Sequence, residues 1–278
     1  MRVSEIKNNL MNYILKFNAR NGARDSSGYL EAYIGFADDV LWLYGHKVHI
    51  EDYSKYIGVK KIIVTRLKQN VFDEVIEYFK NDIEEIFLWK APLIHDFSIL
   101  EKLVNLKFVV GFWNTKATKL WQMNKNTKLE GISLASFSKI NNLLDFSNCS
   151  IRELAFTGNP ATLQKVKLYN LDTLLTMQNL IFLELWSVKI PEQTFEVLLK
   201  LINLKELYLN ANEFKTEQFA MLSVKLTNIN VHNLGPYWEK GENVIILGSR
   251  KPMLNKNKDK EKIDKYVEEF ALLQQKYK

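Results

Sequence analysis

Residues 201–214 read LINLKELYLNANEF, and the pattern of this stretch recurs along most of the chain. Within it, Leu204, Leu207 and Leu209 follow the pattern L-x-x-L-x-L. Successive side chains of a strand alternate between its two faces, so Leu207 and Leu209 point the same way. Asn212 follows, where the chain turns out of the strand. The stretch therefore predicts a short strand with one apolar face, followed by a turn.

The same pattern recurs through the chain, mostly at intervals of 22 to 24 residues, with one longer interval after Ile151. Its first position is occupied in turn by Val59, Ile83, Leu106, Leu129, Ile151, Leu180, Leu204 and Leu226, with a weaker start at Leu163. The residues three and five places further on are apolar in every segment, apart from Gly111. Because the chain as a whole is only 47% hydrophobic, these columns predict the buried face of a repeated strand.

A period of 22 to 24 residues with this pattern resembles the leucine-rich-repeat family. The resemblance covers residues 59–234. It implies a right-handed α/β solenoid with a parallel sheet on the concave side and helices or turns on the convex side. The family's strand-capping asparagine is matched at Asn114, Asn159 and Asn212, and the equivalent position of the other segments is apolar. We therefore expect an irregular solenoid, whose register is least defined over residues 156–179.

The segment before the repeats, residues 1–58, is expected to form an N-terminal cap. Apolar residues at helical spacing predict a helix over residues 3–17. Aromatic and β-branched residues over 29–50 predict a hairpin or two irregular strands. Such a cap is needed because the first repeat of the solenoid, residues 59–234, would otherwise expose its core.

The segment after the repeats, residues 235–278, is expected to form a C-terminal cap. Residues 244–247 are apolar and predict a last strand that closes the sheet. A Lys-rich linker over 250–258 follows, and apolar residues at helical spacing predict a helix over 259–277. Because of the linker, we expect this helix to be an appendage outside the repeat core.

Composition limits the classes of function. The net charge of +6 is mildly basic, but acidic residues are interspersed, which is weak support for nucleic-acid binding. The single cysteine, Cys149, excludes an intramolecular disulfide. The N-terminal residues lack the apolar run of a signal peptide, and no apolar run approaches the roughly 20 residues of a membrane span. These features predict a soluble cytoplasmic protein that does not bind a membrane.

No arrangement of catalytic residues stands out. The histidines His46, His49, His95 and His232 lack cysteines or acids at zinc-like spacing, so we expect them to be ordinary, partly exposed residues. Cys149 is expected to be a small turn or core residue. The sequence contains no phosphate-binding, dinucleotide-binding or nucleophile-elbow motif, and neither flank has room for a typical catalytic domain. We therefore expect a protein that is not an enzyme and uses no cofactor or metal.

Side chains at even-numbered places after the start of each segment lie opposite the core, on the expected concave face. Aromatic residues occupy that face in two groups, with small residues between them. The candidate partner-binding residues are Phe87, Trp89, Phe108, Phe112 and Trp113 in the first group, and Tyr169, Phe182, Trp186 and Tyr208 in the second. Aromatic residues are enriched in binding hot spots. The alternative is that a flank, such as the C-terminal helix, covers them and makes them core.

These features favour a non-enzymatic module that binds a protein or peptide on the concave face, as an immunity-type or scaffold protein. Carbohydrate binding is the alternative, since it would use the same aromatic platforms, although it favours an exported protein. Nucleic-acid binding would require basic residues beside the aromatic ones. The charged residues of that face are Lys61, Lys165 and Lys167, against Glu85, Glu153, Glu184 and Glu206. This balance argues against nucleic acid.

Overall fold

The computed structural model describes residues 31–34, 39–45, 53–159, 164–191, 195–226 and 234–278, together with residues 5 and 229. In chain order its strands are β1 (Glu31–Ile34), β2 (Val40–Tyr44), β3 (Lys61–Thr65), β4 (Glu85–Trp89), β5 (Phe108–Phe112), β6 (Gly131–Ala135), β7 (Glu153–Thr157), β8 (Val166–Lys167), β9 (Phe182–Leu185), β10 (Val188–Lys189), β11 (Glu206–Leu209), β12 (Tyr237–Lys240), β13 (Asn243–Ile246) and β14 (Met253–Asn255). The α-helices are α1 (Gln69–Tyr78), α2 (Phe195–Leu199), α3 (Thr216–Lys225) and α4 (Lys260–Tyr277). Short 3-10 helices span Tyr53–Tyr56, Ser98–Lys102, Met123–Lys125, Leu144–Phe146 and Asp172–Thr176.

Nine of the described strands form one large sheet in which repeats follow one another in chain order. Its strand order is β1-β2-β3-β4-β5-β6-β7-β9-β11, and β1 is antiparallel to β2 while the other neighbours are parallel. Equivalent residues of successive repeats lie side by side, as Leu183 does between Leu154 and Leu207. A parallel α/β architecture built from the repeats is therefore confirmed.

The apolar columns of the repeat form the main core. The described residues of both columns are buried, and Leu183 and Leu185 are completely so. The exception to the pattern, Gly111, has a packing reason. A Cβ atom at this position would lie 2.6 Å from Cζ of Phe137, a fully buried ring. The glycine therefore leaves the space that Phe137 fills.

The parallel sheet begins earlier than the sequence predicts. Strand β2 lies within the expected N-terminal cap, and it pairs with β3 so that Leu41 lies opposite Ile62 and Leu43 opposite Val64. The repeat was missed because the first position of its pattern would be Asp38, which is not apolar. The pairing of β1 with β2 agrees with the predicted hairpin. The predicted helix over 3–17 lies outside the described residues, except that residue 5 is helical.

The weaker repeat start at Leu163 does not contribute a strand to the large sheet, so that part of the prediction is wrong. Instead, β7 pairs directly with β9, and β8 pairs with β10 in a separate two-stranded sheet. Val166 and Leu168 still reach the main core. In the final repeat, Ile229 is buried, whereas Val231 lies outside the described residues.

A left-handed backbone bend ends several strands at the same place in the repeat. The residues with positive φ there are Arg66, Lys90, Trp113, Ser136 and Ser187. Backbone hydrogen bonds continue across the bends, from the N–H of Lys90 to the carbonyl of Phe112 (2.9 Å) and from Trp113 to Ala135 (3.0 Å). This conformation is unfavourable for residues other than glycine, so the neighbouring repeats must hold it in place. As a result, residues 66, 90 and 113 lie along one edge of the sheet.

Asparagines bridge the repeats only in part, as expected for an irregular array. Buried Asn114 donates to the carbonyl of Ala91 over 3.4 Å. Asn212, in contrast, is exposed, and Asn210 performs the bridging instead. Asn210 accepts from the backbone N–H of Ser187 (2.8 Å) and donates to the carbonyl of Val188 (3.1 Å).

Helix α1 and the short 3-10 helices connect the strands on the core side of the sheet, where their apolar residues join the main core. In the described parts of the connections between β6 and β9, the helical segments are single 3-10 turns, Leu144–Phe146 and Asp172–Thr176. None of the helices in the described ranges combines the length and apolar character needed to cross a membrane.

The C-terminal segment differs from its prediction in two ways. Residues 244–247 do not close the large sheet, because β13 pairs with β12 and β14 in a separate antiparallel sheet, and β14 lies within the expected linker. Helix α4 is not an appendage, because it packs against α3 and places Phe270 in the main core. Gln274 Nε2 also donates to Ser223 Oγ (2.9 Å). The helix therefore caps the last repeats.

Candidate partner-binding face

The face of the large sheet opposite the main core, here called the outer sheet face, is the predicted binding surface. Over β2 to β5 it is itself buried. A second apolar cluster there consists of Val40, Trp42, Ile63, Phe87, Phe108 and Val110. Phe87 is 0% exposed and Phe108 is 5% exposed. These two candidate residues therefore do not contribute to an accessible surface, in contrast to the predicted open face.

Polar groups in this region are also removed from water. Trp42 Nε1 donates to Thr65 Oγ1 over 2.9 Å in a buried hydrogen bond. Burial raises the pKa of the Glu85 carboxyl, although the charge of Lys61 opposes the shift. Helix α4 packs against α3 and does not account for this burial. The first part of the outer sheet face is thus a second core.

Accessible aromatic residues begin where β4 and β5 end. We call Trp89, Phe112 and Trp113, with Arg66 and Lys90, the basic aromatic cluster. Trp89 stacks on Phe112 with ring centroids 5.4 Å apart, and Trp113 lies 4.4 Å from Phe112 and 5.3 Å from Trp89. Lys90 Nζ lies 4.7 Å from the centre of the Trp113 ring. All three rings are half-buried, so each keeps part of its surface in solvent.

A groove of about 460 Å³ adjoins this cluster. It is lined by Arg66, Lys90, Pro92, Trp113 and Thr115. Left-handed bends at Arg66, Lys90 and Trp113 bring these three residues to the same edge of the sheet. Two cations beside an indole ring suit an aromatic or acidic side chain, because the cations attract negative charge and the ring offers contact area.

A second accessible group lies on β9, β11 and β12. We call Phe182, Trp186, Tyr208 and Trp238 the acidic aromatic cluster, because glutamates lie beside two of its members, Phe182 and Tyr208. Trp186, which is 37% exposed, stacks on Trp238 with centroids 5.3 Å apart. Phe182 and Tyr208 lie 5.5 Å apart. Trp238 was missed by the sequence analysis because it lies outside the repeats and has no place in their columns.

The glutamates of this cluster are placed by strand register. Glu153 and Glu206 lie on either side of Phe182, and Glu184 lies beside Tyr208. The Tyr208 hydroxyl donates to Glu206 Oε2 over 3.1 Å. The two ends of the outer sheet face therefore differ in charge: cations accompany the aromatic residues at β4 and β5, and carboxylates accompany them at β9 and β11.

Tyr169 stands apart from the other candidates. It follows β8 in the two-stranded sheet, and its backbone N–H donates to the carbonyl of Asn141 over 2.9 Å. It is 55% exposed, and Lys167 Nζ lies 5.4 Å from its ring centre. Because the two-stranded sheet is separate from the large sheet, we leave Tyr169 out of the acidic aromatic cluster.

Small residues separate the two clusters. In register across the sheet, Trp89 lies beside Phe112, Phe112 beside Ala135, and Ala135 beside Thr157. The column continues to Trp186, whose carbonyl accepts from the N–H of Gly158 (2.9 Å). From Phe112 to Trp186 is three strand spacings, or about 14 Å. One extended segment of a partner could therefore reach both clusters.

Other groups offer little chemistry. Cys149 is buried, and burial raises the pKa of its thiol, which disfavours the reactive thiolate. Within the described ranges, no group of three or more His, Cys, Asp and Glu side chains could hold a metal ion. His95 is exposed, while His46, His49 and His232 lie outside the described residues.

No protein-family model matches the chain, and no curated protein matches it. Among solved structures, the chain is similar to an internalin from Listeria monocytogenes, with 16% sequence identity and a TM-score of 0.38. The match covers 67% of this chain and 58% of the internalin chain, which is less than two thirds of its length. A likeness at this level carries no functional argument, so the repeat architecture rests on the strand register and buried columns described above.

Proposed function

We propose that the protein is a right-handed, leucine-rich-repeat solenoid that binds a protein or peptide partner and catalyses no reaction. The basic and acidic aromatic clusters would form the contact surface. The observation that carries this proposal is the exposure of Trp186, which stacks on Trp238, a half-buried ring that packs against the main core. Large aromatic residues left partly in solvent are typical of binding hot spots.

The charges of the two clusters support a protein partner. A segment with acidic residues at one end and basic residues at the other would match Arg66 and Lys90 as well as the glutamates of β9 and β11. Charge complementarity of this kind orients a partner and speeds its association. A carbohydrate platform would instead require open ring faces, and here Trp89 stacks on Phe112 and Trp186 on Trp238. Carbohydrate binding remains the alternative outcome of the test.

Replacing Trp186 with alanine tests the proposal. The wild-type protein would be immobilised, its partner captured from source-cell lysate and identified by mass spectrometry, and the affinity measured with purified partner. We expect Trp186→Ala to weaken binding by about 1–4 kcal/mol, as at a hot spot. The free energy of unfolding should fall by only about 1 kcal/mol, because a surface aromatic pair contributes on that scale.

Leu144→Ala is the matched control, because Leu144 is an exposed apolar residue away from the outer sheet face. It should change neither affinity nor stability. Unchanged partner binding by Trp186→Ala would refute the proposed surface. A glycan array that retains the wild-type protein, but not Trp186→Ala, would favour carbohydrate binding.

A further inference from the structure

Side chains of alternating charge run along the edge of the large sheet where its strands begin. The residue just before each strand donates its backbone N–H to the carbonyl of the equivalent residue in the preceding repeat. Glu84 donates to Lys60 over 2.7 Å and Lys107 to Glu84 over 2.8 Å. These bonds connect, in order, Asp39, Lys60, Glu84, Lys107, Glu130, Arg152, Ile181 and Lys205. We call this row the charge ladder; its signs alternate as far as Arg152 and stop alternating at Ile181.

Neighbours in the first part of the charge ladder form ion pairs. Glu84 Oε1 lies 3.2 Å from Lys60 Nζ, and Glu84 Oε2 lies 2.5 Å from Lys107 Nζ. The hydrogen bond from Lys107 lowers the pKa of the Glu84 carboxyl, and that of Lys60 adds to the effect. Glu84 is thus shared between the bases of the two adjacent repeats, Lys60 and Lys107.

The second part of the charge ladder contains a gap. Ile181 separates Arg152 from Lys205, so two cations follow one another without an acid between them. Neither cation forms an ion pair with any residue in the described ranges. Two strand spacings, or about 10 Å, separate their backbones. Because both side chains are long, a carboxylate held over Ile181 would be within reach of each.

A groove of about 850 Å³ lies over this gap. Its lining includes Arg152, Asn179, Ile181, Asn203, Lys205 and Glu206. The cations outnumber the acid, since Glu206 is the only carboxylate among the described lining residues. Glu206 also accepts a hydrogen bond from the Tyr208 hydroxyl. The amide groups of Asn179 and Asn203 add neutral hydrogen-bonding capacity at the same place.

We propose that this groove binds an acidic segment of a protein partner, with one Asp or Glu carboxylate seated between Arg152 and Lys205 in the place of the acid absent at position 181. The planar guanidinium of arginine matches a carboxylate with two parallel hydrogen bonds. The groove lies where the strands begin, whereas Trp113 and Trp186 lie where they end. Glu206 lines the groove and also lies beside the acidic aromatic cluster, but Arg152 and Lys205 belong to the groove alone.

Labelled hexaglutamate is a suitable probe, with binding followed by fluorescence anisotropy at low ionic strength, where screening is weak. Arg152→Gln and Lys205→Gln should each weaken binding by about two- to fivefold, the range of exposed ion pairs. Ile181→Glu should abolish measurable binding, because it supplies the absent carboxylate from the chain itself. Lys139→Gln is the matched control, since Lys139 is an exposed cation beyond the opposite end of the strands.

Equal weakening by Lys139→Gln would indicate non-specific attraction by net charge and would overturn the proposal. Unchanged binding by Ile181→Glu would do the same. Free glutamate or inorganic phosphate bound as tightly as hexaglutamate would indicate a simple anion site instead of a docked segment. Trp186→Ala should leave hexaglutamate binding unchanged, which separates this test from that of the aromatic surface. If Ile181→Glu does not fold by circular dichroism, the Arg152 and Lys205 variants decide the outcome.

Discussion

Replacing Phe87 with alanine is expected to lower the free energy of unfolding by about 3–5 kcal/mol, as for other fully buried phenylalanines. Phe87 is completely buried in the second apolar cluster, between Ile63 of β3 and Val110 of β5. Removing its ring forfeits the transfer free energy and leaves a cavity that rigid strand backbones cannot close. Urea denaturation followed by circular dichroism would measure the change.

Leu144→Ala provides the comparison, because it removes apolar atoms that are already in solvent and should alter stability by no more than about 0.5 kcal/mol. If Phe87→Ala were as mild as Leu144→Ala, the second apolar cluster would not be core. The whole outer sheet face would then be available to a partner, as the sequence analysis expected.

The second large effect is expected at Phe270 on helix α4. Phe270 is 2% exposed and belongs to the main core, whereas Leu272 on the same helix is 66% exposed. Phe270→Ala should therefore cost about 3–5 kcal/mol, and Leu272→Ala should have little effect. Both substitutions introduce alanine into the same helix, and leucine and phenylalanine differ in helix propensity by only a few tenths of a kcal/mol. Helix propensity therefore contributes little to the comparison.

Thermal unfolding monitored by circular dichroism would compare the two variants. Similar small shifts in Tm for both would mean that α4 is an appendage on a self-sufficient repeat core. A large shift for Phe270→Ala alone would mean that the helix closes the end of that core.

The main core was predictable because one face of each strand is strictly apolar. Ile86, Leu183 and Leu207 are each followed two residues later by a second apolar residue on the same face. Shifting the strand register by one residue would turn all of these side chains away from the core. The close approach of the Phe137 ring to Gly111 was not predictable, since it joins a backbone position of one repeat to a side chain of the next. Similarly, Asp38 concealed the first repeat because it breaks the apolar pattern at its opening position.

The burial of Phe87 follows a pattern that the sequence does contain. Strands β3 and β4 read KIIVT and EIFLW, with apolar residues on both faces, as expected of parallel strands buried on both sides. Strands β9 and β11 read FLEL and ELYL, with glutamates on the outer face. The odd or even position of a residue in its repeat assigns its side chain to one face of the sheet, but it does not say whether that face is covered. Trp238, which joins the acidic aromatic cluster, lies outside the repeats, so the repeat pattern gave no sign of it.

Hydrogen–deuterium exchange on the protein, alone and with its captured partner, would show whether the two aromatic clusters form the contact surface. We expect the partner to slow amide exchange at the ends of β5 and β9, over residues 112–116 and 186–189, and in β12 beside Trp238. Helix α1, on the opposite side of the sheet, should exchange at the same rate in both states. Protection confined to α1 and the 3-10 helices, with none at residues 112–116 or 186–189, would place the partner on the opposite side of the sheet and refute the proposed contact surface.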